Sequence, residues 1–230
     1  MPQRFVKPQS ETRKLISIFL PNLAGGGAER SMVALANGFA RRGLKVHLVL
    51  AQTWGVYFDE IDKRVQLVEL GAKRVLFSLL PLSKYLKQTH PYALISALDH
   101  TNLIAIWARL LSQTKTRLIV SVRAVASVGY RKYPLVRFRS LPFLMRMFYR
   151  YSDAVVAVSQ GVADDLVDQI GLCPEKLRVI YNPMVDECLF EEAQKLPPHP
   201  WFRGKQKPII LGVGRLDPQK DFATLLRAFK

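Results

Sequence analysis

The sequence predicts an α/β protein built on a doubly wound parallel sheet, followed by the opening of a second domain. Three observations predict it. Short apolar, β-branched runs alternate with amphipathic helical runs through most of the chain. The first of these runs enters a glycine triplet that opens a helix. Near the C-terminus, after a proline-rich stretch, a strand, loop and helix begin afresh. The 230 residues leave room for one full domain of roughly 150–200 residues and a remainder.

The elements follow in order. Leu15–Leu20 reads as a buried strand, Glu29–Arg42 as an amphipathic helix closed by Gly43, and Lys45–Leu50 as the next strand, which makes a βαβ unit. Val65–Leu70 is a further strand. Leu76–Gln88 reads as a helix whose start is blurred by Pro81. Ala93–Ala97, a helix over Asn102–Leu111 and the branched run Arg117–Val122 continue the alternation. A basic helix is expected over Leu135–Tyr149, then a strand at Ala154–Val158, a helix at Gly161–Ile170 and a strand at Arg178–Ile180. After Asn182-Pro183 the character changes: Glu187–Gly204, with Leu-Pro-Pro-His-Pro, reads as a connection. The expected layout is a first domain over residues 1–185, a linker over 186–207, and the start of a second domain over 208–230, whose one strand and one helix are too little to enclose a core.

Composition narrows the function. Apolar residues make up 49% and charged residues 23%, which is globular rather than disordered. The net charge of +16 predicts attraction to something anionic: a phosphorylated ligand, an acidic membrane surface or nucleic acid. Two cysteines, Cys173 and Cys188, have neither metal-ligand spacing nor the density of a disulfide scaffold, so a reducing compartment is expected. The N-terminal residues lack an apolar signal core and no run is long enough to cross a bilayer, so the expected location is cytoplasmic, with peripheral attachment to the inner face of the cell membrane as an option.

The chemistry-bearing positions begin at Gly25-Gly26-Gly27. A helix N-terminus offers unpaired N–H groups with partial positive charge, and glycines let a ligand approach the backbone; phosphate or sugar hydroxyls suit such a place, although a tight turn alone would also explain the triplet. Glu29 in the first helical turn is favourable there whatever the function. Ser96-Ala-Leu-Asp-His-Thr-Asn102 and Ser121-Val-Arg123 each follow a strand, and ligands bind at the carboxyl ends of parallel strands. No acidic residue lies between Asp99 and Asp153, while Tyr130–Tyr151 interleaves arginines with Tyr133, Leu135, Phe138, Leu141, Phe143, Leu144, Met147 and Phe148. That mixture suits an anionic bilayer surface, or a helix with its apolar side on the sheet and a solvated basic side.

Rival readings fail on motifs. A nicotinamide-dependent dehydrogenase would need a third glycine where Arg30 stands, and an acid after the strand that ends Leu50-Ala-Gln-Thr. The P-loop pattern GxxxxGK[ST] does not occur. A basic nucleic-acid-binding or membrane-surface module without catalysis is the alternative that charge alone would allow, but no RNA or DNA motif accompanies the arginines, so no nucleic acid is expected.

Four segments, GGGAERSMVALANGFARRGLKVHLV, AVVAVSQGVADDL, VIYNP and ILGVGRLDPQKDFATLLRAF, resemble the retaining glycosyltransferases of family 4, which have the two-domain GT-B fold. The resemblance implies a Rossmann-like, acceptor-side N-terminal domain and a nucleotide sugar, taken as UDP-linked, in the cleft between domains. It implies hexosyl transfer to a glycan or lipid-linked acceptor, with no metal or other cofactor. Arg215 and Lys220, on the family's GRL…K pattern, would grip the donor diphosphate, and Gly26 and Gly27 would set backbone N–H groups beside the donor sugar or diphosphate. A catalytically important residue before Asn102 would be Asp99 or His100, a choice the spacing leaves open. Arg123 would contact an acceptor or donor phosphate. The family's Glu-x7-Glu motif is absent up to Lys230, so the chain is expected to stop early in the second domain and to be inactive alone.

Overall fold

The computed structural model describes residues 14–125, 141–183, 185, 187–195, 197–202, 208–214, 216 and 220–229. The chain divides into two compact units, Met1–Met184 and Val185–Lys230.

The first unit is an α/β domain around seven strands, β1 (Leu15–Leu20), β2 (Lys45–Leu50), β3 (Val65–Glu69), β4 (Ala93–Ala97), β5 (Arg117–Val122), β6 (Ala154–Ala157) and β7 (Leu177–Val179). They form one sheet in the order β3-β2-β1-β4-β5-β6-β7, and every pairing is parallel. Parallel strands joined by crossovers are covered on both faces, which is why β1, β2 and β4 read as unbroken apolar runs rather than alternating ones; Ile18, Phe19 and Leu20 in β1 are fully buried. The chain starts at the centre, walks to one edge through β3, returns beside β1 as β4, and walks to the other edge. The direction reverses between β1 and β4, and in doubly wound sheets the carboxyl ends of the strands at such a point are where ligands bind.

Helix α1 (Gly27–Arg41) covers one face with Met32, Val33, Ala36 and Ala40, an i, i+1, i+4, i+8 stripe. It stops where Gly43 takes a positive φ of 81° and its N–H reaches the Ala40 carbonyl. The other face carries α2 (Leu79–Thr89, preceded by a 3-10 turn at Val75–Ser78), α3 (Asp99–Ser112), α4 (Leu141–Phe148) and α5 (Gln160–Asp168). Pro81 falls in the first turn of α2, where its missing N–H leaves no bond unmade. Of the expected basic helix, residues 141–148 are helical, and Leu141, Leu144, Met145 and Phe148 pack on the core; Phe143 and Met147 remain exposed, and residues 126–140 lie outside the described residues. Asp153 ties β5 to β6, accepting from the Leu118 N–H (2.7 Å) and pairing with Arg109 (3.5 Å).

The second unit contains α6 (Glu187–Ala193), a 3-10 turn at Pro200–Phe202 and α7 (Phe222–Ala228). Two expectations change here. Glu187–Ala193 is helical rather than a plain connection, because its helix-forming residues run unbroken to Ala193 before the prolines. The strand expected near Ile209 is absent among the described residues: 208–213 pair with no neighbour, and Leu211 and Val213 are 74% and 83% exposed. A strand satisfies its backbone only against another strand, and the described residues of this unit supply none. None of the seven sheet strands comes from this unit.

Candidate functional site

The candidate site lies at the carboxyl ends of β1, β4 and β5. After β1 the ladder with β2 runs on beyond the strands. The Leu23 N–H donates to the Trp54 carbonyl (3.0 Å) and the Val56 N–H to the Leu23 carbonyl (2.8 Å). Gly55 permits this: its φ is 144°, and a Cβ there would stand 1.9 Å from the Leu23 oxygen. The zipped loops hold the glycine turn. Gly25 takes the positive φ (108°), Gly26 is the N-cap with extended backbone, and Gly27 is the first helical residue. The Glu29 side chain folds back over Gly26, where a Cβ would lie 2.3 Å from its Oε2. The end of that flexible side chain can swing away, so packing alone does not demand glycine at 26, and Gly27 stands in open space.

Arg123, the first residue after β5, converges on this helix start. Its Nη1 donates to Ser31 Oγ in α1 (2.5 Å) and to Asn182 Oδ1, while its Nε is buried without a partner among the described residues. Burial pushes the guanidinium down to about 10, and the nearby Glu29 carboxylate offsets part of that. It stays cationic at neutral pH, with an unused donor in a desolvated place, which suits an anionic oxygen. Beside it, between α1 and the bare face of β5–β7, a groove of 340 Å³ is lined by Met32, Phe39, Ile119, Val156, Ile180 and Arg123 itself.

Asp99 and His100 are placed differently from the loop position expected of them, because α3 begins at Asp99 rather than at Asn102. The turn is made by Leu98, a non-glycine residue with φ 76°, whose carbonyl accepts the Asn102 N–H (2.8 Å). Asn102 is wholly buried and acts as an anchor. Its Oδ1 accepts from Ser96 Oγ (2.7 Å), and its Nδ2 donates to the Ser121 carbonyl (3.0 Å) and to Tyr149 Oη (3.2 Å). The Tyr149 hydroxyl in turn faces Asp99 Oδ1 at 3.5 Å. The first turn of α3 is thus fixed to the ends of β4 and β5, two residues from Arg123. His100 is solvent-accessible, yet the protein around its ring lowers the imidazole pKa by desolvation, which favours the neutral form.

Of the other expected residues, Lys220 is exposed in the second unit, its stem alongside Gly214, where a Cβ would come within 3.4 Å. Arg215 lies outside the described residues. Sequence reasoning missed Ser31, Gly55, Asn182 and Tyr149. Asn182 was visible inside VIYNP but was read only as a boundary; the partners Ser31 and Tyr149 are set by the fold and leave no local signal. Among the described residues, no group of three His, Cys, Asp or Glu side chains is placed to hold a metal, and no helix is long and apolar enough to cross a membrane.

A parallel sheet whose strand order reverses, with a glycine-opened helix and a half-buried arginine at its carboxyl edge, is the arrangement of a nucleotide- or phosphate-handling α/β domain. Residues 25–187 match Glycosyltransferase Family 4, and the chain belongs to that family. Two Campylobacter jejuni relatives are similar along 93% of the chain. One, at 29% identity over 224 residues, is an N-acetylgalactosamine-N,N'-diacetylbacillosaminyl-diphospho-undecaprenol 4-α-N-acetylgalactosaminyltransferase. The other, at 27% over 225 residues, is an α-1,4-N-acetyl-D-galactosaminyltransferase acting on a GalNAc-containing diNAcBac-PP-undecaprenol. The chain spans 58% and 56% of their lengths. Among solved structures, Anabaena HepE with UDP and glucose superposes at TM-score 0.54 and 19% identity, covering 74% of this chain and 44% of HepE. Sucrose-phosphate synthase from Thermosynechococcus elongatus superposes at 0.58 and 13%, covering 74% and 48%. These likenesses show the fold: the first unit is the Rossmann-like domain of the GT-B architecture.

Proposed function

We propose that the protein is the acceptor-side part of a retaining glycosyltransferase that moves a hexosyl unit from a UDP-linked sugar to a polyprenyl-diphosphate-linked glycan. The observation that carries this reading is the half-buried Arg123, whose buried Nε has no partner among the described residues, converging on the glycine-opened start of α1 in a chain of family 4. The two similar transferases, named for glycans on diphospho-undecaprenol, support the acceptor class, and the UDP held by a fold neighbour supports the donor class.

The proposed division of labour follows from charge. Breaking a sugar–phosphate bond leaves negative charge on the departing diphosphate; Arg215 and Lys220, from the second domain begun at residue 208, with the N–H groups of Gly26 and Gly27, stabilise it as it develops. Attack on the face the diphosphate leaves accounts for retention. Arg123 takes a phosphate of acceptor or donor. Asp99 or His100, held by the Asn102 anchor, contacts the reacting sugar. Residues 1–185 form the acceptor domain and 186–207 the linker.

The test is a panel of nucleotide sugars with a polyprenyl-diphosphate acceptor, reading released nucleotide on the full-length protein. Arg215→Ala is expected to lower turnover about 100-fold with folding intact; normal turnover removes Arg215 from the donor site. Between His100→Ala and Asp99→Asn, the variant losing about 100-fold or more in kcat identifies the contact residue. If it is His100, its depressed pKa keeps the ring neutral at pH 7, so activity should hold as pH falls to 6.5 and decline only below that.

A further inference from the structure

The helical run Val75–Thr89 has two apolar sides. Its inner side packs Val75, Leu79, Leu82 and Leu86 into the core. Its outer side presents Leu76, Phe77 and Leu80, which are 59%, 62% and 69% exposed, followed one and two turns on by exposed Lys84 and Lys87. Exposed Lys73 and Arg74 precede it. Three large apolar side chains open to water on one helical face are not explained by packing. The segment that carries them has charge of one sign: no Asp or Glu occurs from Gly71 to Leu98.

A second loop joins this corner. Gln52 Nε2 donates to the Lys73 carbonyl (2.8 Å), and just beyond it Trp54 and Val56 are 54% and 68% exposed. The same corner adjoins the glycine turn of the candidate site. Val56 Cγ2 lies 3.3 Å from where a Cβ on Gly25 would be, and the Val75–Ser78 turn packs against α3, whose first turn carries His100.

We propose that Leu76, Phe77 and Leu80, ringed by Lys73, Arg74, Lys84 and Lys87 and joined by Trp54, form the face by which the protein docks on an anionic lipid bilayer. Leucine and phenylalanine enter the boundary of headgroups and acyl chains, tryptophan suits that depth, and lysine stems lie along apolar surface while their ammonium groups reach phosphate. A protein partner would want a surface with mixed charge or hydrogen-bonding detail; a basic rim around bare aliphatic and aromatic groups matches a sheet of acidic headgroups. The inference rests on the proposed function in one respect: a sugar acceptor tethered to a lipid would be met with the α1 and α3 starts facing along the bilayer.

The test is flotation of the full chain with vesicles of phosphatidylcholine alone or mixed with anionic phosphatidylglycerol. Binding is expected to the anionic vesicles only and to weaken with salt. Leu76→Ser/Phe77→Ser/Leu80→Ser should reduce it about tenfold or more, and each of Lys73→Gln and Lys84→Gln about fivefold. Because the three apolar residues are already exposed, the thermal transition should not move. Wild-type flotation by the triple variant overturns the proposal. So does a dimer in light scattering that the triple variant dissolves, which would assign the face to a second copy. Nucleotide release from the donor by the full-length protein without vesicles separates the two readings. The triple variant should keep it; vesicle binding without any sugar transfer would sink the enzymatic reading and leave the docking face standing.

Discussion

At the residue scale, Arg123 concentrates the charge logic of the site. It follows β5, reaches Ser31 across the sheet end, and keeps one donor out of water with no partner among the described residues. Arg123→Ala should lower sugar transfer about 100-fold in kcat, and Arg123→Lys should recover part of it, since a point charge replaces the fork without its geometry. Steady-state kinetics with the lipid-linked acceptor checks both. The sequence pointed to Arg123 through its position after a strand. It could not reveal that Ser31 and Asn182 hold it, because those residues lie 92 and 59 positions away. Gly26 and Gly27 were legible as a pair, but only the folded chain separates them: one is filled against by Glu29, the other is open.

At the element scale, β1, β2 and α2 are pinned together by a buried polar cluster. The Tyr85 hydroxyl lies 2.7 Å from Ser17 Oγ and 2.8 Å from His47 Nδ1. Burial, then Lys45, lowers the His47 pKa below its ordinary 6.5. The unfolded chain therefore binds a proton that the folded one refuses. Stability should be full above pH 6.5, fall as pH drops below it, and level off once the folded pKa is passed. Thermal unfolding across pH 4–8 checks this, and His47→Gln should flatten that slope. The strands themselves were readable to within a residue because uninterrupted branched runs permit little else. The start of α3 was misread by three residues, because Leu98 makes the turn with a conformation that nothing in its side chain announces.

At the scale of the whole molecule, the order β3-β2-β1-β4-β5-β6-β7 explains why positions far apart in the chain share one edge. The alternation of strands and helices was enough to foresee a doubly wound sheet, because right-handed crossovers leave few other arrangements. The second unit is less legible, since the apolar run near Ile209 looks like a strand but has no strand to pair with among the described residues. The first unit owns the entire seven-stranded sheet and its core. A chain ending at Met184 should accordingly unfold in one cooperative transition, with a Tm within a few degrees, about 5 °C or less, of the longer chain. Calorimetry of both chains checks it; loss of cooperativity on shortening would mean that later residues complete the fold.

Leu98 bends the backbone where only glycine sits at ease, so the junction ahead of His100 is wound against its own preference by about 1–3 kcal/mol. Leu98→Gly should release that tension. We expect a protein that melts no lower, or slightly higher, and yet works less well, as the first turn of the helix gains room to wander while the anchor behind it stays put. Opposite movements of Tm and kcat in this single variant would identify the bend as held in place for the sake of the reaction.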